Sequence, residues 1–251
     1  MRWLVALAIV ATIAAAPAAK PSLPKGFVYL ADVSPEVMQD IRYAGYYNFV
    51  GKPIRGYRAG ECILTRQAAD ALAGAEKELN EAGLTLRVYD CYRPQRAVDE
   101  FVAWSQNDDR TMKAAFYPRV NKSELFKLGY LAAKSAHSRG STVDASIERL
   151  PPRPVTPFEP GQSLHSCIGT FAERFHDGTI DMGTTFDCLD PLSHPDADVG
   201  AIAGAHRELL RSVMKKHGFL GAKDEWWHFT LRWEPYPSTY FDFPIEKRQA
   251  R

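Results

Sequence analysis

TRQAADALAGAEKELNEAGLTLRVY, Thr65 to Tyr89, changes its period once. From Thr65 to Ala82 the apolar residues recur three and four apart, which makes one apolar face on an α-helix. Thr65 stands where an N-cap hydroxyl belongs, and Gly83 stands where a helix exits through the left-handed region. From Leu84 to Tyr89 the alternation has period two, so the chain passes from helix directly into strand. Outward from this unit both periods recur in irregular order. Val33 to Tyr43 reads as a short helical element with Ser34 as cap and Pro35 at its first position. Arg93 to Trp104 is helical with Pro94 at its start, and Ala203 to His217 is a helix closed by Gly218. Trp226 to Trp233, aromatic and β-branched, reads as a strand. The order lacks a strict βαβ repeat. The expected fold is therefore α+β, one domain over residues 27–245, with a central antiparallel sheet flanked by helices. Leu150 to Gln162 holds five prolines and reads as a surface loop or insertion over about 150–162.

The chain has 251 residues, 31 of them basic and 30 acidic, and no stripe of Lys or Arg. A nucleic-acid partner is not expected from that balance. The N-terminus carries Arg2, an apolar run from Trp3 to Ala16, and Ala16-Pro17-Ala18. This is the pattern of a cleaved signal peptide over residues 1–18, with an apolar run too short to span a membrane. The mature protein is expected to be exported, periplasmic and free of the membrane. Four cysteines, an even number, then suggest disulfides. Of the three possible connectivities, Cys62–Cys91 with Cys167–Cys188 closes the two short loops. No C-x-x-C spacing points to a cysteine-held metal.

Three stretches carry candidate chemistry. In KSAHSRGSTVDASI (Lys134 to Ile147), His137 and Asp144 flank a turn containing Gly140. The pair is either a solvated polar turn or two ligands of a metal. In EWWH (Glu225 to His228), a carboxylate precedes a histidine across two tryptophans. Zinc hydrolases use three protein ligands and leave a fourth position open, with a non-ligand carboxylate as base. His137, Asp144 and His228 with Glu225 would meet that need; the plainer alternative is an aromatic strand ending in a satisfied histidine. In DCYRP (Asp90 to Pro94), Arg93 lies at a strand–helix junction. It either faces a developing oxyanion or pairs structurally with Asp90. His165, His176, His194, His206 and His217 lack ligand spacing and read as structural or surface. Ser163 and Ser166 form no nucleophile motif, and no G-x-S-x-G occurs.

Together with IRYAGYYNFVGKPIRGY (Ile41 to Tyr57), MGTTFD (Met182 to Asp187) and EPYPSTYFDFP (Glu234 to Pro244), these stretches run through nearly the whole mature chain. In that series the chain resembles the zinc D-alanyl-D-alanine dipeptidases, the family known from vancomycin resistance. The resemblance implies the α+β fold shared with zinc D,D-carboxypeptidases (Hedgehog-like) and one Zn2+ on His137, Asp144 and His228. It implies Glu225 as general base and acid, Arg93 as the oxyanion's partner, and a free dipeptide of two D-alanines as substrate. Ser135 and Tyr57 would hold the substrate's carboxylate, and Tyr43 and Asp187 its free amino group. The chain departs from the family pattern at Thr142, in the Pro-rich stretch before Met182, and in its signal and cysteines. A zinc D,D-carboxypeptidase or endopeptidase acting on peptidoglycan stems, or a silent cell-wall-binding module, are the competing expectations.

Overall fold

The computed structural model describes residues 23–249, so the expected signal over 1–18 lies outside the described residues. In chain order the elements are β1 (Phe27–Tyr29), β2 (Met38–Gln39), β3 (Ile63–Thr65), α1 (Arg66–Glu81), β4 (Leu84–Asp90) and α2 (Gln95–Ser105). They continue with α3 (Lys113–Phe116), β5 (Thr142–Arg149), α4 (Ala201–Lys216), β6 (Phe219–Gly221) and β7 (His228–Leu231). Five strands form the central sheet in the order β2-β4-β5-β7-β6, while β1 and β3 make a separate antiparallel pair. All neighbours in the sheet run antiparallel except the two-residue β2, which runs parallel to β4. This is the α+β single domain that the irregular alternation implied.

The unit that opened the sequence reading folds as expected. The Thr65 side chain accepts from the Ala68 N–H, and Gly83 leaves the helix at φ 72°. Leu86 and Val88 pair with Ile147 and Ala145, and Val143 pairs with Phe229. Residues opposite each other share a face, so this apolar row lies on one side of the sheet. α1 packs on β4, α4 on β6, and the two helices on each other. The opposite face carries Arg87, Ser146 and Glu148, all buried because the segments around Arg42 and Asp177 cover them. With both faces covered, β5 is buried from Thr142 to Glu148 and its polar side chains need partners. Arg87 gives two hydrogen bonds to Glu148, at 3.2 and 2.7 Å.

Two expected elements differ. Val33 to Tyr43 is not an α-helix; it holds β2 and the start of a 3-10 turn over Arg42–Ala44. The Ser34 hydroxyl goes to Glu36, and Arg42 is drawn to Asp40 and to the distant Asp177. Tertiary ion pairs override the local helix signal there. The aromatic strand is confined to β7: Trp226 and Trp227 form the turn before it, and Trp233 lies beyond its end, exposed. The expected disulfides, Cys62–Cys91 and Cys167–Cys188, are both formed. The Pro-rich segment has no helix or strand. Among the described residues no helix is long and apolar enough to cross a membrane.

Gly140 ends a 3-10 turn (Ala136–Arg139) at φ 82°, and a Cβ there would lie 2.2 Å from the Phe27 ring. Gly140→Ala combines a left-handed backbone with overpacking, which together cost about 2–5 kcal/mol. The expected result is a lower denaturation midpoint at unchanged slope. An unmoved midpoint would show that the turn tolerates a side chain.

Candidate active site and metal centre

Three strands place one row of polar side chains across the sheet. Asp90 on β4 stands opposite Asp144 on β5, and Asp144 stands opposite His228 on β7. Simple alternation from Val88 would turn Asp90 to the helix side. A register shift between Val88 and Asp90 sets it on the polar face instead, a common use of a bulge beside a site. His137 reaches the row from the 3-10 turn, where the Ser135 Oγ accepts from the His137 N–H. Gly140 then lets the chain bend back into β5, so a histidine and an aspartate on either side of one turn arrive together.

His137, Asp144 and His228 offer ligand atoms that all lie within 4.8 Å of one another. His137 Nδ1 is 2.7 Å from the Cys91 carbonyl. A carbonyl can only accept, so Nδ1 carries the proton and Nε2 presents a lone pair. That Nε2 lies 3.3 Å from His228 Nδ1 and 3.2 Å from Asp144 Oδ2, and His228 Nδ1 lies 3.2 Å from Asp144 Oδ1. Asp144 Oδ1 is buried and without a hydrogen-bond partner. Ligands about 2.0–2.1 Å from a tetrahedral zinc lie about 3.3 Å from one another. The residues therefore fit a divalent metal: two imidazole nitrogens and a carboxylate, with one oxygen otherwise orphaned. Burial works against the Asp144 charge, yet His137 and His228 outweigh it and hold the carboxyl below the usual range. Among the described residues this is the one such cluster. His206 and His217 serve elsewhere: His206 Nδ1 meets the Asp181 carbonyl, and His217 pairs with Glu78 of α1.

A cavity of about 230 Å³ opens in front of the cluster, and Arg93, Ser135, Asp187, Glu225 and Tyr43 line it with His137, Asp144 and His228. Glu225 Oε2 lies 3.5 Å from His228 Nδ1, and burial pushes its carboxyl up to about 7 against the pull of His228. Arg93 donates through Nε to Asp90 at 2.8 Å, and its terminal nitrogen is 3.7 Å from Asp144. Arg93 thus pairs with Asp90, as one of its two sequence readings had it, and it also lines the cavity. Burial opposes its charge, but Tyr43, Asp90, Tyr57 and Asp144 outweigh that and keep the guanidinium ionised.

Asp187 sits at φ 59°, the one non-glycine at positive φ among the described residues. Its Oδ2 accepts from the Tyr43 hydroxyl at 2.7 Å. Burial, then the nearby Asp144 charge, raises the Asp187 carboxyl well above the usual range. Tyr57 is not part of the cavity lining; its hydroxyl donates to Asp90 at 2.7 Å, behind Arg93. Asp90 is the residue that sequence reasoning undervalued. Fully buried, it accepts from Tyr57 and Arg93, and it lies 3.6 Å from His137 Nδ1. Trp227 lines the cavity as well, buried edge-on against Phe186.

The family model described as D-ala-D-ala dipeptidase (Peptidase_M15) matches residues 24–152 and 164–246. A D-alanyl-D-alanine dipeptidase of Streptomyces coelicolor is 40% identical over 87% of this chain and 98% of its own length. One from Enterococcus faecium is 35% identical over 88% of this chain and 98% of its own. One from Escherichia coli is 29% identical over 81% of this chain and 83% of its own. The family match leaves out only residues 153–163 between its two parts, all but the last of them in the Pro-rich stretch already set apart by its lack of helix or strand. With both halves of the metal cluster and the whole sheet inside the matched residues, the chain belongs to the D-Ala-D-Ala dipeptidase family.

Proposed function

We propose that this protein hydrolyses the free dipeptide D-Ala-D-Ala to two D-alanines with one zinc ion held by His137, Asp144 and His228. The observation that carries the reading is the cluster itself: three ligand atoms within 4.8 Å of one another, with the Glu225 carboxylate 3.5 Å from one of them. Zinc in such a site supplies Lewis acidity and brings the pKa of water at its open position to about 7. Glu225 takes a proton from the attacking water and returns it to the leaving amine; a carboxyl near 7 suits both directions. Arg93, held by Asp90 and permanently charged, faces the oxygen on which negative charge develops.

Ser135, at the cavity wall, takes the substrate carboxylate, and Asp187 with Tyr43 takes its ammonium. Tyr57 is assigned to the support of Arg93 through Asp90, because its hydroxyl is already committed there. Export to the periplasm is part of the proposal, supported by the signal-like N-terminal sequence and by two disulfides.

The test is a screen of D- and L-dipeptides with and without a chelator. D-Ala-D-Ala should be cleaved and L-Ala-L-Ala should not. Chelation should abolish turnover, and added zinc should restore it. Cleavage that survives complete metal removal would sink the reading.

A further inference from the structure

Each disulfide has one cysteine immediately after a site aspartate: Asp90-Cys91 and Asp187-Cys188. Cys91 also supplies the carbonyl that accepts the hydrogen bond from His137 Nδ1, at 2.7 Å. Two residues on, Arg93 donates its side chain to Asp90 and its backbone N–H to the His137 carbonyl, the latter at 3.3 Å. The bridge ties this segment, just as it leaves β4, to Cys62 at the entry to β3. Cys62 is itself pinned, its N–H donating to Gln39 and its carbonyl accepting from Leu30. The second bridge works elsewhere. Cys188 follows the positive-φ Asp187, and its partner Cys167 accepts through its carbonyl from Thr185, on the other side of that residue. The Asp187 carboxyl is thereby aimed at Tyr43 and the cavity.

We infer that the two disulfides are positioning devices for two separable functions. Cys62–Cys91 holds the carbonyl that orients the metal ligand His137, together with Arg93. Cys167–Cys188 holds Asp187 against the substrate's amino group. Orientation of a ligating histidine by its second nitrogen is worth about 10–100-fold in metal affinity. The inference rests on the functional reading above and adds a division of labour to it.

The experiment compares the wild type with Cys62→Ala/Cys91→Ala and Cys167→Ala/Cys188→Ala, each zinc-loaded and shown to be folded by circular dichroism. Zinc affinity is read by competition with a chromogenic chelator. Dipeptide affinity is read by calorimetry with Glu225→Gln added to each chain, so that the dipeptide is not consumed, and KM and kcat by turnover without it. Loss of the first bridge should weaken zinc binding about tenfold or more and lower kcat, with dipeptide affinity kept. Loss of the second should raise KM and weaken dipeptide binding about tenfold, with zinc affinity unmoved. The inference is overturned if both variants move the same quantity, if neither moves one, or if either chain fails to fold, since that bridge would then serve the whole domain. Failure of the functional reading looks different: the wild type itself would not cleave D-Ala-D-Ala, while the zinc competition would still decide the role of the first bridge.

Discussion

Glu225→Ala should bind zinc as the wild type does and lose about 100- to 10,000-fold in turnover of D-Ala-D-Ala. The two halves of that expectation have different grounds. Zinc is retained because His137, Asp144 and His228 form the cluster without Glu225, and their mutual distances do not depend on it. Turnover falls because the other carboxylates that line the cavity are engaged elsewhere: Asp144 belongs to the cluster, Asp187 is bonded to Tyr43, and Asp224 faces Lys223. Burial is what makes Glu225 suitable, since a carboxyl raised to about 7 both accepts and returns a proton near neutrality. Glu225→Gln keeps the shape and should fall nearly as far, which separates loss of the proton acceptor from loss of packing. Metal analysis beside steady-state kinetics checks both halves. A variant that cleaves the dipeptide at the wild-type rate would remove Glu225 from the chemistry.

What could be read from the sequence follows from how local each signal is. His137 and Asp144 were legible as a pair because a turn with Gly140 and the start of β5 lie between them, and both are short-range features. The helix–strand unit from Thr65 to Asp90 was legible for the same reason. The disulfides were legible because each closes a short loop, with separations of 29 and 21 residues. Arg42 was not, because its partner Asp177 is 135 residues away and alternation carries no trace of it. Asp90 was seen only as a partner for Arg93. Its place in the row with Asp144 and His228 depends on a bulge, and the alternation that identifies β4 points it the wrong way. The Cys91 carbonyl leaves no mark at all, being a backbone atom in a role that side-chain spacing cannot report. Family likeness singles out His137, Asp144 and His228, which spacing alone left ambiguous and which the fold brings together, but it offers nothing on the disulfides, where this chain departs from the pattern.

N-acetyl-D-Ala-D-Ala should be a poor substrate, its kcat/KM lower than that of the free dipeptide by about 10,000-fold. Asp187 is a buried carboxyl whose charge is disfavoured, first by burial and then by Asp144. An arriving ammonium reverses that balance by giving the ionised carboxylate a partner at the one place where Tyr43 already donates to it. An acetylated nitrogen carries no charge and adds bulk, so the buried carboxyl is left without the partner its position calls for. Asp187→Ala should therefore lower activity on the free dipeptide while leaving the acetylated one almost unchanged, so the ratio between them collapses from one side only. The comparison also separates the dipeptidase from a D,D-carboxypeptidase, which must admit an acylated amino end. Equal cleavage of the two substrates by the wild type would take the amino-group role away from Asp187 and favour action on peptidoglycan stems.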